Sequence, residues 1–313
     1  MPSTSLLRRA RSARLALCAT AVAAAAAGTA PAALAAPAQV TGGDVDWSQV
    51  NAYEMGGAAR TWLGYVTTLA QGTAAATAPA TGAEVTPSSP KGAEAVYTFA
   101  FPVEGGSYDR AARTGTIRAK GTVTFTSALH RFAITVTDPV VTLSGATGTL
   151  AASGQGGASG QTPYSADQPL FTLDLSNATV TTVGPGTQRI TGIAPALATA
   201  NTAFPANYQV GAGPDRTPNT FGTFEVTVST AIDGSIRTQR KRRAVVVSPE
   251  LRLLKARGAR VSLSTASSRA RIARGTISGR RLTLTLKKGR TLKPGTYRIW
   301  GATNPPLTIE ISR

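Results

Sequence analysis

Short runs in which apolar and polar side chains alternate recur along most of this chain, and a period of two belongs to strands with one buried face. Tyr97-Thr98-Phe99-Ala100-Phe101, Phe132-Ala133-Ile134-Thr135-Val136 and Leu282-Thr283-Leu284-Thr285-Leu286 show it most plainly. Gly121 to Phe125, Val140 to Leu143, Leu170 to Leu175 and Thr220 to Val228 are equally rich in Val, Thr, Phe and Ile, with Gly, Pro, Ser and Asp between them. β-branched and aromatic residues fit a pleated surface, and the intervening residues make turns. A mainly β, antiparallel architecture is expected, with one or two short helices. One helix is expected over Gly57 to Leu69, where Ala58, Ala59, Trp62, Tyr65 and Leu69 recur at three- and four-residue steps. The Ala- and Leu-rich run Ala194 to Ala203 suggests the other. Gly72 to Pro90 and Ala151 to Pro163 have the low-complexity composition of mobile surface loops.

Charge divides the chain more sharply than hydropathy does. From Arg237 onward twenty Lys and Arg face only Glu250 and Glu310, a net charge of +18. Between residues 36 and 236 nine cations face thirteen acids, a net of −4. Such asymmetry marks separate modules with different partners. Arg237 to Arg243 reads as a basic linker. After it come alternating runs punctuated by Gly279, Pro294-Gly295 and Pro305-Pro306, as in a small Ig-like β-sandwich of about 70 residues. Leu292-Lys293-Pro294-Gly295-Thr296-Tyr297 resembles the turn into a late strand of bacterial Ig-like modules.

The first residues bear on compartment rather than fold. Arg8, Arg9, Arg11 and Arg14 precede an Ala-rich apolar stretch that ends in Ala33-Leu34-Ala35, the layout of a cleaved signal peptide. The expected organisation is therefore a signal peptide over 1–35, a β-rich domain over 36–236 and a basic Ig-like domain over 237–313. The mature protein is expected to be secreted, extracellular or associated with the cell wall. Cys18, the only cysteine, falls in the leader, so no disulfide or thiolate chemistry is expected beyond it.

The inventory of catalytic groups is thin. His130 is the sole histidine, and no nucleophile elbow, His pair or phosphate-binding glycine loop is present. Catalysis is therefore not expected. A tyrosine offers another chemistry: a ferric ion favours its phenolate, so it can be an axial ligand to haem iron, and a second polar group can tune that bond.

The series Gly43-Asp44-Val45-Asp46-Trp47, Trp62-Leu63-Gly64-Tyr65-Val66, Tyr97 to Phe101, Gly121 to Phe125, His130, Ile134-Thr135-Val136-Thr137-Asp138-Pro139 and Phe171-Thr172-Leu173-Asp174-Leu175 occurs in one order, closing with Phe204, Tyr208 and Gly222-Thr223-Phe224. This order resembles the HtaA domain of actinobacterial haem-uptake proteins, over about residues 40–229. The resemblance implies a secreted protein that binds haem for iron acquisition and passes it to a transfer receptor. It implies Tyr65 as ligand to the haem iron, His130 as its hydrogen-bonding partner, and Phe204 and Tyr208 as pocket walls. Tyr53 is a rival for the ligand position, and Arg60 could pair with a haem propionate. The other reading is a structural or adhesive wall-associated protein that keeps the fold without haem. The basic tail is expected to meet an anionic cell-wall polymer or a membrane surface rather than nucleic acid, because its cations alternate along strands instead of lining a recognition helix.

Overall fold

A computed structural model describes residues 37–54, 60–157, 162–199, 201–205, 220–254 and 258–313. The expected signal peptide lies outside the described residues. Residues 36–313 form one compact unit that contains two β bodies.

In the first body eight strands, numbered with the rest in chain order, close into a hydrogen-bonded circuit. They are β1 (Ala38–Val50), β3 (Val96–Asp109), β4 (Thr114–Ala119), β6 (Phe132–Ser144), β7 (Thr147–Gly156), β9 (Pro169–Asp174), β11 (Thr187–Leu197) and β12 (Thr223–Thr230). Around the circuit the order is β6-β4-β3-β1-β12-β11-β9-β7, and a β6–β7 pairing closes it. Each of these pairings is antiparallel. Circuits of about this size have an interior that side chains can fill. Trp47 takes a central place, stacked on Phe224 at 5.4 Å and edge-on to Phe125 and Phe171 at 5.7 Å. Its indole N–H donates to the Phe221 carbonyl at 2.7 Å, which satisfies the one polar atom of a fully buried ring.

Outside the circuit, β2 (Thr73–Thr77) and β5 (Thr122–Ser127) extend the sheet from the first half of β6, and β10 (Thr179–Gly184) pairs with β11. The long strand β6 changes neighbours at Asp138, whose φ is +51°. Before it Phe132–Thr137 pair with β5, and after it Val140–Ser144 pair with β4. One strand thus belongs to both the circuit and the flap that carries the site described below.

Three expectations change. Ala194 to Leu197 is not helical but the end of β11, paired residue for residue with Asp174 to Phe171. Its backbone finds partners on β9, and Pro195 could not have donated within a helix. The stretch Gly72 to Pro90 is ordered rather than a mobile loop: β2 pairs with β5, Ala74 and Val85 exchange both backbone hydrogen bonds, and Ala80 and Val85 are buried. Within Ala151 to Pro163, β7 runs on to Gly156 and meets β8 (Thr162–Tyr164).

The second body is a closed barrel of seven strands: β13 (Ile232–Arg240), β14 (Arg243–Val247), β15 (Ala259–Thr265), β16 (Arg271–Ser278), β17 (Arg281–Leu286), β18 (Gly295–Trp300) and β19 (Leu307–Ser312). The expected linker Arg237 to Arg243 is instead the β13–β14 hairpin. The run itself has no apolar residue; it is held as a hairpin because buried residues flank it, Ile232 on β13 and Ala244 and Val246 on β14, and it exposes its cations at the turn. Lettered A to G, the strands lie in the order A-B-E-D-C-F-G, the two strand sets of an Ig constant-type sandwich. Here the sets are joined at both edges, by β15–β16 and by the parallel pair β13–β19. Tyr297, at the start of the sixth strand, donates its hydroxyl to the Lys293 carbonyl at 2.8 Å and accepts from the Lys293 N–H at 3.3 Å. That is the tyrosine corner of such sandwiches.

An ion pair joins the bodies. Both terminal nitrogens of Arg110, from the first body, donate to the Glu250 carboxylate at 2.5 and 2.7 Å, and the Gly186 N–H adds a third bond at 2.7 Å. Glu250 stands on a 3-10 turn, Pro249–Leu253.

Candidate functional site

The site begins with a helix too short to stand alone. Thr61 is extended (φ −91°, ψ 157°), and its hydroxyl accepts from the Gly64 N–H at 3.1 Å and donates to the Val50 carbonyl at 2.6 Å. This N-cap starts α1 (Trp62–Gly64) and pins it to the end of β1. Gly64 then has to be a glycine, because a Cβ there would stand 2.1 Å from the Ala52 carbonyl oxygen. From Tyr65 the helix widens into a π turn, Tyr65–Leu69, in which the Ala70 N–H donates to the Tyr65 carbonyl at 2.9 Å.

The widening decides which side chains point where. Trp62, Leu63, Val66, Thr67 and Ala70 are buried, whereas Tyr65 is half-buried and Leu69 exposed. The stripe expected through Trp62, Tyr65 and Leu69 is therefore not the buried face, and Tyr65 is not an ordinary core tyrosine. Single π turns inside helices recur at functional sites because they displace one residue from the regular surface.

His130 reaches Tyr65 from the other side. It lies in the turn between β5 and β6, and its N–H donates to the Ser127 hydroxyl at 2.9 Å. That hydroxyl in turn donates to the Ala70 carbonyl at 2.5 Å, stapling the turn to the end of the π segment. The result is a 2.6 Å hydrogen bond between the Tyr65 hydroxyl and His130 Nδ1.

Around this pair the walls are aromatic. Phe132 stacks on Tyr65 at 6.3 Å and 16°, Trp62 is tilted against it at 5.6 Å, and Tyr53 lies 6.4 Å away. Burial first, and the neighbouring Tyr53 second, push the Tyr65 phenol above its ordinary value of 10.0. Tyr53 forms an isolated antiparallel bridge with Arg60, so the rival tyrosine and the expected propionate partner border the same site. Leu129, in the His130 turn, and Leu69 are exposed large apolar side chains, 64% and 37% accessible.

The structure thus brings Tyr65, His130 and Tyr53 together. Phe204 does not surface the site: it is 2% exposed and packs edge-on against Trp62 at 5.2 Å, one ring behind Tyr65. Tyr208 lies outside the described residues. Ser127 was not singled out from the sequence, although a serine three residues before a turn residue is a familiar device for holding a turn N–H. Among the described residues no group of three or more His, Cys, Asp or Glu could hold a metal ion. A phenol hydrogen-bonded to an imidazole is the donor set this surface offers.

The Htaa family model matches residues 57–218, about half of the chain. Among solved structures, the crystal structure of the C-terminal domain of HtaA from Corynebacterium glutamicum is similar at 17% identity and a TM-score of 0.40, over 62% of this chain and 98% of that one. No curated protein matches. The chain belongs to the HtaA family, which is associated in general with haem binding and iron acquisition and whose members are typically secreted or at the cell surface. No helix among the described residues is long and apolar enough to cross a membrane.

Proposed function

We propose that this HtaA-family chain is a secreted carrier that captures ferric haem as cargo, with the Tyr65 oxygen as iron ligand, and passes it on by ligand exchange without catalysis. The observation that carries this reading is the 2.6 Å Tyr65–His130 hydrogen bond at a half-exposed position. A ferric ion can take the place of the proton on a phenol held by a histidine; that proton leaves to solvent, and the Nδ1–H tautomer of His130 then donates to the phenolate. Exposed Leu69 and Leu129 suit the faces of a porphyrin, and Arg60 suits a propionate. The haem supplies the iron; the chain supplies the oxygen, the hydrogen bond and the apolar surround.

The neutral phenol sets a direction for pH. Its value is raised, so binding must displace a proton, and haem affinity should increase with pH across the neutral range. The test is a haemin titration of the purified protein followed by absorption, with Tyr65→Phe, Tyr53→Phe and His130→Ala in parallel. Saturable one-to-one binding that is lost in Tyr65→Phe, kept in Tyr53→Phe and released faster by His130→Ala is expected. Loss only in Tyr53→Phe moves the ligand to Tyr53. Absence of saturable binding by the unsubstituted protein leaves the structural or adhesive reading in its place.

A further inference from the structure

Four of the barrel's cations meet at one place. Arg242, Arg271, Arg274 and Lys287 line one groove of about 450 Å³, together with Ala273, Thr285 and Leu286. No acid lines it, and among the described residues none of the four cations is in an ion pair. The barrel's three acids lie elsewhere: Glu250 is bound by Arg110, and Asp233 on β13 is paired directly with Glu310 on β19.

The groove is built by backbone as well as by side chains. Leu286 N–H donates to the Arg242 carbonyl at 2.7 Å, and Arg242 Nε donates back to the Leu286 carbonyl at 3.0 Å. Lys287 N–H donates to the Ile272 carbonyl at 2.9 Å, which joins the end of β17 to β16. Thr285 is paired directly with Arg274 within the groove and, on its other side, with Arg243, which does not line it, so two guanidinium-bearing residues flank a hydroxyl across three strands. With neighbouring strands about 4.8 Å apart, the two arginines stand about 10 Å from one another.

We infer that this groove is a docking site for a linear phosphate polymer, an anionic chain of repeating phosphate groups of the kind found in wall polymers. Guanidinium groups pair with phosphate oxygens in two-point contacts, and a row of them without interspersed acid suits a chain of repeating anions. A membrane surface is the weaker fit. Surface-seated proteins insert apolar side chains among the acyl chains, and Leu253 is the only exposed large apolar side chain among the barrel's described residues. The groove is also concave, which accommodates a chain rather than a plane. This site is remote in sequence from Tyr65 and His130, and its function does not depend on haem capture.

The test titrates the full chain with sodium polyphosphate at about 0.15 M salt and over a salt series. One variant is Arg271→Gln/Arg274→Gln/Lys287→Gln, and a control of equal charge is Arg252→Gln/Arg298→Gln/Arg313→Gln. Arg242 is left in place because it bonds to the Leu286 carbonyl. All six side chains are exposed, and an unchanged thermal midpoint verifies folding of both variants. The groove variant should bind about tenfold or more weakly, with a salt slope smaller by about 2, at about 0.7 for each lost phosphate contact. The control should stay within about threefold of the unsubstituted chain. Equal weakening in both variants, or no binding by the unsubstituted chain, overturns the inference. So does binding to phosphatidylglycerol vesicles without binding to polyphosphate, or a preference for a single-stranded oligonucleotide at equal phosphate.

Discussion

The two β bodies close their sheets in similar ways and fill them differently. All eight phenylalanines and two of the three tryptophans of the chain lie in the first body. The barrel core is built of Ile, Leu, Val and Ala, with Tyr297 the only aromatic ring buried in it. Rings are rigid plates with preferred edge and face contacts, so the first body carries position outward in steps: Trp47 to Phe125, Phe125 to Trp62, Trp62 to Tyr65. An aliphatic core carries no such chain of orientation. The proposed roles follow that difference: charges on the outside of the barrel, and the placement of two side chains in the first body.

The largest expected effect tests that difference directly. Trp62→Ala should cost about 3–5 kcal/mol and Leu284→Ala about 2–5 kcal/mol of unfolding free energy. Only the first should weaken haemin binding, because only Trp62 backs Tyr65. Denaturant unfolding and haemin titration of both variants measure this, and an equal loss of haemin affinity from Leu284→Ala would break the comparison.

A smaller effect concerns the clamp between the bodies. Burial would raise the Glu250 carboxyl, but the hydrogen bonds from Arg110 and Gly186 and the Arg110 charge outweigh it and hold the group below its ordinary 4.5. A depressed carboxylate stabilises the folded state above its unfolded value, and that contribution is lost as pH falls below about 4.5 through the folded value. Arg110→Ala removes one partner of a mostly buried pair and should cost about 1–3 kcal/mol. Calorimetry should then show the two bodies melting separately, whereas a single unshifted transition would mean that the clamp contributes little.

The smallest effect has the opposite sign. Burial, then Asp44 and Glu225, raise the Asp46 carboxyl from 3.8 to about 6, with Arg189 acting against them. Between those values the folded chain holds more proton than the unfolded one, so this group's share of stability falls as pH rises from 4 to 6. Asp46→Asn should stabilise the first body by about 1 kcal/mol at pH 7, after allowance for solvent screening. The gain should vanish below about pH 4, and thermal melts at the two pH values measure it.

Most strands were legible in the sequence because alternation and turn residues are local signals; Leu282 to Leu286 needs no partner to declare itself. The misread segments are those whose structure is decided from a distance. Ala194 to Leu197 has helix-forming composition, and only the open edge of β9 makes it a strand. Thr73 to Thr77 looks featureless until β5 lies beside it. The site divides in the same way. Tyr65 and His130 are 65 residues apart, and nothing local links them; family resemblance suggested the pair, and folding supplied the distance. Phe204 belonged to the right neighbourhood but sits one layer deeper than expected. The Arg110–Glu250 clamp went unread, although an acid in so basic a tail is the kind of exception that marks a specific contact.

The joining of β13 to β19 has a consequence for crowding. Open sheets leave a row of unsatisfied amides and carbonyls along their last strand, and such borders recruit further chains into shared sheets. The seven-stranded ring has no last strand. Copies gathered side by side on one polyanion would be brought to high local concentration, yet their cationic modules would present no border for intermolecular strand addition. A ring closed on itself lets these cationic modules be packed densely without being glued to one another.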